Sequence, residues 1–181
     1  MEDLEAYVAK FDPYRDERGW VEEDAQEYAN RMHSELLPEW PTEVLIEWLH
    51  RHAQFIFRYA RLKYESFEFE PQIWNIEQIP GREAFDEEDF CDNFRDVRSR
   101  AENPHDWLAH YMLANGTWNT PIVLLHNENN RYGSLIGQTL KQPYHLLEGH
   151  RRLSFLNGLR DIGTANAEHD VWLVTLAANA T

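Results

Sequence analysis

Five consecutive residues, Glu148, Gly149, His150, Arg151 and Arg152, carry groups suited to binding an anion. They follow the apolar stretch YHLL and precede a run with helical spacing, so the sequence predicts a strand, a glycine and a helix start here. The first helical turn has unpaired N–H groups and a partial positive charge, and a glycine there lets a phosphate approach the backbone. Arginine adds fork-shaped donors for phosphate or carboxylate. The pattern therefore predicts an anion site.

The individual side chains suggest different roles at such a site. Successive helical residues point about 100° apart, so we expect one of Arg151 and Arg152 to contact a ligand and the other to brace the structure. His150 is expected to donate to the ligand or to transfer a proton, and Glu148 to act as a base or to hold a metal ion. The loop from Tyr132 to Pro143 could close over the ligand.

A purely structural explanation stays open beside this one. Helices often begin after glycine, and the two arginines could cover a surface or pair with the acidic first half of the chain. The sequence contains no Walker pattern, no G-x-G-x-x-G, no H-E-x-x-H and no G-x-S-x-G.

The elements that position these residues are predicted in the second half of the chain. The sequence predicts an apolar strand at 120–127, a glycine-containing loop at 127–143 and a second strand at 144–149. A helix at 150–158, ending near Gly158, and a third strand at 169–176 follow. A helix precedes them, with Asn103 as a cap, Pro104 in its first turn and Asn115-Gly116 at its end.

The first half is predicted to be mostly helical. Helices are expected at 2–11, 21–37 and 86–101, a strand at 73–79, and a long helix after an N-cap at Thr42, with an apolar stripe from Leu45 to Leu62. The fold class is therefore α+β: an acidic helical N-terminal region over residues 1–70, and a domain with a small mixed sheet over residues 71–181.

The charge of the chain is unevenly distributed. The net charge is −15; residues 1–103 hold 26 Asp and Glu and 12 Lys and Arg, whereas residues 104–181 hold 6 and 5. A field of this sign repels phosphate backbones, so we expect no direct binding to nucleic acid. It favours solubility or a basic protein partner.

Composition excludes several other classes. No apolar run approaches the length of a membrane span, and the acidic N-terminus lacks the apolar region of a signal peptide, so a soluble cytoplasmic protein is expected. Cys91 is the only cysteine, which excludes an intramolecular disulfide and a cysteine-based zinc site, and the histidine pairs lack metal-ligand spacing.

Several stretches resemble the N-terminal domain of the ParB/sulfiredoxin superfamily. They are PIVLLHN, YHLLEGHRRLSFLNGL and HDVWLVTL, preceded by WNIEQIP and HDWLAHYMLANGTWNTPI. The resemblance covers about residues 72–177, and its most specific part is the Gly-His-Arg-Arg box between flanking strands. It implies a ParB/sulfiredoxin-like domain.

The resemblance also implies a ligand. In this superfamily the box binds nucleotide phosphates: of CTP in ParB proteins, of ATP in sulfiredoxins, and of ATP or ADP in related free-serine kinases. Carried over to this chain, Gly149, His150, Arg151 and Arg152 would hold the phosphates.

Further positions follow from the same resemblance. Thr120, Pro121 and Ile122 would lie beside the base or the ribose. Glu148 stands where the kinase-like branch often has Asp, and Glu77 lies near where those relatives place a catalytic carboxylate.

The chain also departs from the superfamily pattern. It shows no second ParB box of the Glu-Asn-x-Gln-Arg type and no helix-turn-helix domain, and Gly149 stands where sulfiredoxin has its catalytic cysteine. We therefore expect neither chromosome partitioning nor sulfinic acid reduction.

Two functional hypotheses result. The first is a protein that binds ATP or CTP with Mg²⁺ and acts as a phosphotransferase or nucleotide hydrolase, with Glu148 and His150 as its catalytic residues. The second is a non-catalytic acidic interaction protein, such as a bacterial immunity or antitoxin-type inhibitor of a basic nuclease or nucleic-acid-binding protein. The two hypotheses differ in where the functional residues lie. Residues that would bind a nucleotide are in the nearly neutral second half, whereas residues that would bind a basic protein are in the acidic first half.

Overall fold

The computed structural model describes residues 3–85, 88–135 and 138–177. The chain forms two compact units, one from Met1–Phe69 with Thr175–Thr181 and the other from Glu70–Val174. The sequence pattern assigns 71–181 to one domain, whereas here the end of the last strand belongs to the first unit. Across the three described ranges, no helix is both long and apolar enough to cross a membrane.

Short helices make up most of the first unit. In chain order they are α1 (Leu4–Ala9), α2 (Ala25–Glu35), α3 (Thr42–Val44), a π-helical segment Leu45–His50, and 3₁₀ turns at Ala53–Arg58, Ala60–Leu62 and Tyr64–Ser66. Aspartates cap the first two: the carboxylate of Asp3 accepts from the backbone of α1, and that of Asp24 accepts from the N–H of Gln26 at 2.8 Å.

The single long helix predicted from Leu45 to Leu62 is wrong. Its apolar stripe is largely buried, but the backbone breaks after the π-helical segment, where His52 has φ −114° and ψ 35°. Phenylalanine, isoleucine and tyrosine crowd the residues that follow, and these residue types favour a helix less than leucine or alanine does. Thr42 is also not the cap; it is the first residue of α3, and Pro41 occupies the cap position.

Aromatic rings fill the centre of the first unit. The ring of Trp40 lies 5.7 Å from that of Trp48 and 5.6 Å from that of Phe67, between ring centroids. The buried polar atoms are paired: the indole N–H of Trp40 donates to the carbonyl of Tyr64 at 3.1 Å, and the hydroxyl of Tyr28 donates to a backbone carbonyl at 2.7 Å. The described part of this unit is thus held by an aromatic cluster.

A mixed sheet confirms the α+β class. The strands are β1 (Phe67–Asn75), β2 (Ile122–His126), β3 (Ser134–Leu135), β4 (Gln138–Thr139), β5 (Tyr144–Glu148) and β6 (Glu168–Leu176). Four of them form a sheet in the order β1-β6-β2-β5, and β3 pairs with β4. Strand β2 runs parallel to β6 and antiparallel to β5.

The strands β2, β5 and β6 match their predicted positions, whereas the short pair β3 and β4 lies in the segment predicted to be a loop and the earlier strand, β1, is shifted. The prediction of 73–79 is wrong at both ends, since β1 ends at Asn75 and a turn follows. The guanidinium of Arg160 donates to the carbonyls of Ile76 at 2.6 Å and Ile79 at 2.7 Å. These carbonyls therefore serve a side chain and not a neighbouring strand.

The described residues of the second unit form four helices. They are α4 (Glu88–Arg95), α5 (Val97–Ala101), α6 (Trp107–Asn115) and α7 (His150–Asp161), with 3₁₀ turns at Arg82–Ala84 and Glu128–Asn130. The one helix predicted over 86–101 is two, because the side chain of Asp96 caps the second; residues 86 and 87 lie outside the described ranges. Helix α6 is capped by Asp106, not by Asn103, and ends at the predicted glycine, Gly116.

Helix α7 continues three residues past its predicted end at Gly158. This glycine lies inside the helix, at a point where α4 comes very close. A Cβ at position 158 would be 1.9 Å from the carbonyl oxygen of Arg95. Gly158 therefore permits helix packing and does not end the helix. Helix α7 is buried over most of its length, from Arg152 to Leu159.

Candidate anion-binding site at the start of helix α7

Gly149 joins strand β5 to helix α7 in a conformation that suits glycine alone. Its φ is 102°, in the left-handed region, and its carbonyl accepts the first hydrogen bond of the helix, from the N–H of Leu153 at 2.9 Å. A Cβ there would lie 2.6 Å from Cγ2 of Ile122. Glycine is thus required both by the backbone angle and by the side chain that packs against it.

The antiparallel register explains why Ile122 reaches this glycine. Val123 pairs with Glu148, so the end of β5 meets the beginning of β2, with an irregularity in the register after Val123. Thr120 and Pro121, half-buried, immediately precede β2 at this edge of the sheet. The hydroxyl oxygen of Thr120 accepts from the amide of Asn119 at 3.0 Å.

Arg152 lies back over the glycine and is nearly buried. Its side chain is 7% exposed, and its Nη2 donates to Oε1 of Glu148, whose side chain is 14% exposed, at 3.2 Å. Its Nε would lie 3.2 Å from a Cβ at Gly149. Glu148, at the end of β5, and Arg152, in the first turn of α7, therefore form a buried ion pair beside the start of the helix.

Arg151 points away from this pair, as the helical rotation requires. Its Nη2 donates to Oδ2 of Asp106 at 2.6 Å, and its guanidinium lies 5.3 Å from the ring centroid of Phe94 and 5.4 Å from that of Phe155. The side chain is 42% exposed. Its buried Nε has no hydrogen-bond partner within the described part of the chain.

Asp106 is a site residue that the sequence analysis missed. Its Oδ1 accepts from the N–H of Ala109 at 3.2 Å, which caps α6, while its Oδ2 binds Arg151. The sequence predicts the helix cap at Asn103 and assigns no role to Asp106, which lies 45 residues before its partner. The pairing depends on the tertiary arrangement of α6 and α7 and has no local signature.

His150 is placed among aromatic rings. Its ring lies edge-on to those of Phe85 and Phe90, with centroids 6.0 and 5.8 Å apart. His145, on strand β5, is completely buried, and its Nδ1 accepts from the backbone N–H of Lys141 at 3.2 Å. Burial, and then the charges of His150 and Lys141, lowers the pKa of His145 to about 3.

The structure thus brings together part of the predicted set. Gly149 lies against Ile122 and Arg152, and Arg152 pairs with Glu148. The side chains of Arg151 and His150 leave the same turn in other directions. Arg152 pairs with Glu148 and Arg151 with Asp106, both of which lie in the second half of the chain. Among the described residues, no group of three acidic, histidine or cysteine side chains could hold a metal ion.

Glu77 lies elsewhere. It borders an open cleft of about 470 Å³ whose other lining residues are Ile76, Ile79, Arg160, Gly163 and Ala165. Arg160 is ten residues after His150 in the same helix, so this cleft is about 15 Å along the helix axis from the start of α7. The carboxylate implied by the family resemblance is therefore at the other end of α7.

No protein-family model matches the chain, and comparisons with curated proteins and with solved structures likewise find no significant match.

Proposed function

We propose that the chain binds a nucleotide, ATP or CTP, with the phosphates at the start of α7, on a domain of the ParB/sulfiredoxin type. The observation that carries the proposal is Gly149. Its left-handed backbone, packed against Ile122, turns the chain directly from a strand into a 12-residue helix. A phosphate could then approach the N–H groups of the first turn closely.

The two arginines support the proposal in different ways. Arg152, buried and paired with Glu148, would brace the turn. Arg151 is 42% exposed, so it is the arginine we propose to contact a phosphate. Its pair with Asp106 would fix the position of the guanidinium before the ligand arrives.

Phosphoryl transfer or hydrolysis would depend mainly on positioning and charge stabilisation. Backbone N–H groups and Arg151 would stabilise the charge of the phosphates, and His150 would transfer the proton. Since the described residues provide no preformed metal cluster, we propose that Mg²⁺ arrives coordinated by the phosphates themselves. Glu148 is engaged by Arg152, so a catalytic role for it would require that pair to open.

Calorimetric titration of the purified chain with ATP, CTP, GTP and ADP, each with Mg²⁺, tests the proposal. Arg151→Ala should abolish binding while the circular dichroism spectrum stays unchanged. Glu102→Ala, an exposed change in the same unit, is the matched control and should bind normally. Normal nucleotide binding by a folded Arg151→Ala variant would contradict the site assignment.

A further inference from the structure

The loop between α1 and α2 displays the most exposed large apolar side chain among the described residues. Trp20 is 73% exposed, and the same loop exposes Tyr14 at 62% and Val21 at 39%. We call residues 12–24 the Trp20 loop. It belongs to the first unit, whereas the residues of the proposed nucleotide site belong to the second. Exposed tryptophan and tyrosine are typical anchors of protein interfaces.

Backbone and side-chain hydrogen bonds fix the tip of the Trp20 loop. Arg15 and Val21 form an antiparallel bridge. Oδ1 of Asp16 accepts from the N–H groups of Arg18 at 2.9 Å and Trp20 at 2.8 Å, and the N–H of Asp16 donates to the carbonyl of Trp20 at 2.9 Å. The indole is therefore presented on a preorganised turn, which reduces the entropic cost of binding.

Arg31, on helix α2, clamps the base of the loop. Its Nε and Nη2 donate to the two carboxylate oxygens of Glu23 at 2.8 and 2.7 Å, and its Nη2 also donates to the carbonyl of Asp12 at 3.2 Å. Its guanidinium lies 4.4 Å from the ring centroid of Tyr14. The hydrogen bond from Arg31 lowers the pKa of Glu23, which keeps this clamp ionised.

The surroundings of the indole are acidic. The Trp20 loop contains six Asp and Glu and two Arg. The carboxylate of Glu23 is paired with Arg31, whereas three other acidic side chains are exposed: Glu17, Glu22 and Asp24. An apolar anchor with an acidic rim is the arrangement that a basic protein surface complements.

We propose that the Trp20 loop docks a basic protein segment, in which an apolar or cationic side chain meets the indole and neighbouring Lys or Arg residues face the acidic rim. An indole attracts both kinds of side chain, the cationic one through its ring face. A second copy of the same loop would bring like charges together in a symmetric contact, and nucleic acid would be repelled. The charge complementarity selects a basic protein.

A random-peptide phage library, selected on the immobilised full chain at physiological salt, tests this proposal. The enriched peptides should be rich in Lys and Arg and carry at least one apolar residue. Their synthetic versions should bind Trp20→Ala about tenfold or more weakly than the original chain, as loss of an interface anchor does. Glu17→Lys with Glu22→Lys should also weaken binding, and so should high salt.

Two matched variants control for general effects. Phe57, 58% exposed in the same unit, is replaced by Ala, and the exposed Glu102 is replaced by Lys; neither change should affect the peptides. Enrichment of peptides without basic bias, failure to enrich any peptide, or equal loss in the control variants would overturn the proposal. So would conversion of a dimer to a monomer by Trp20→Ala in sedimentation, since the occupant would then be a second copy.

Discussion

The side chain of Ile122 occupies the space that any residue other than glycine would need at position 149. A Cβ there would lie 2.6 Å from Cγ2 of Ile122 and 3.0 Å from its Cβ. The contact joins the first residue of β2 to the start of α7, across the register that pairs Val123 with Glu148. It leaves no room for a side chain where β5 passes into α7.

Gly149→Ala should lower the free energy of unfolding by more than the cost of placing alanine in a left-handed backbone conformation. Gly163, with φ 67° and no atom within 4 Å of an added Cβ, is the matched control. Gly163→Ala should cost about 1 kcal/mol in the free energy of unfolding, from the backbone angle. Gly149→Ala should cost about 2 kcal/mol more, from the contact with Ile122. Urea unfolding measures both, and equal losses would show that Ile122 moves away without cost.

The two arginines of the box should differ in their effect on stability. Arg152→Ala leaves the carboxylate of Glu148 poorly exposed and without this partner, so it should cost about 3 kcal/mol. Arg151→Ala removes a pair that is 42% exposed on the arginine side and should cost about 1 kcal/mol. Urea unfolding of the two variants compares them. A larger loss for Arg151 would make it the bracing residue and contradict its proposed ligand role.

Stability should fall in acid because of His145. Its pKa is about 3 in the folded chain and near 6.5 when exposed, so between these values the unfolded chain binds a proton that the folded chain does not. The free energy of unfolding therefore falls as the pH is lowered from about 6.5 towards 3. The slope attributable to one such group is about 1.4 kcal/mol per pH unit.

His145→Gln should remove this part of the pH dependence. Burial also lowers the pKa of His169, so some acid sensitivity of the same sign should remain. Urea unfolding at several pH values gives the slopes, with the exposed His105→Gln as the control. An unchanged slope in His145→Gln would show that His145 is protonated in the folded chain.

Gly158→Ala reverses an ordinary expectation. In a helix interior this change normally stabilises by about 1 kcal/mol, because alanine favours the helix. Here the added Cβ would lie 1.9 Å from the carbonyl oxygen of Arg95, so we expect a loss of about 2 kcal/mol and a lower thermal midpoint. Stabilisation by Gly158→Ala would mean that α4 and α7 are not so closely packed.

Local signals were sufficient for much of the second half of the chain. The strands Ile122–His126, Tyr144–Glu148 and Glu168–Leu176 lie where apolar runs predict them, and Gly116 ends α6 as its sequence indicates. These elements are short and bounded by turn residues, so their pattern and their fold agree.

Other features of the fold could not be predicted from local sequence patterns. The apolar stripe from Leu45 to Leu62 correctly indicates burial, but it does not show that the backbone breaks at His52 into shorter turns. Gly158 resembles a helix end in the sequence and is instead a point of close helix approach. The partner of Arg151, Asp106, was not predictable, since nothing local relates two residues 45 positions apart.

Thermal unfolding of the original chain and of Arg151→Ala, with and without each nucleotide and Mg²⁺, tests the central claim most directly. A nucleotide at about 100 times its dissociation constant stabilises by about 2.7 kcal/mol, so the midpoint should rise by about 5 °C or more. We expect this rise with ATP or CTP in the original chain and none in Arg151→Ala. No rise with any nucleotide, or the same rise in both proteins, would contradict a phosphate site at the start of α7.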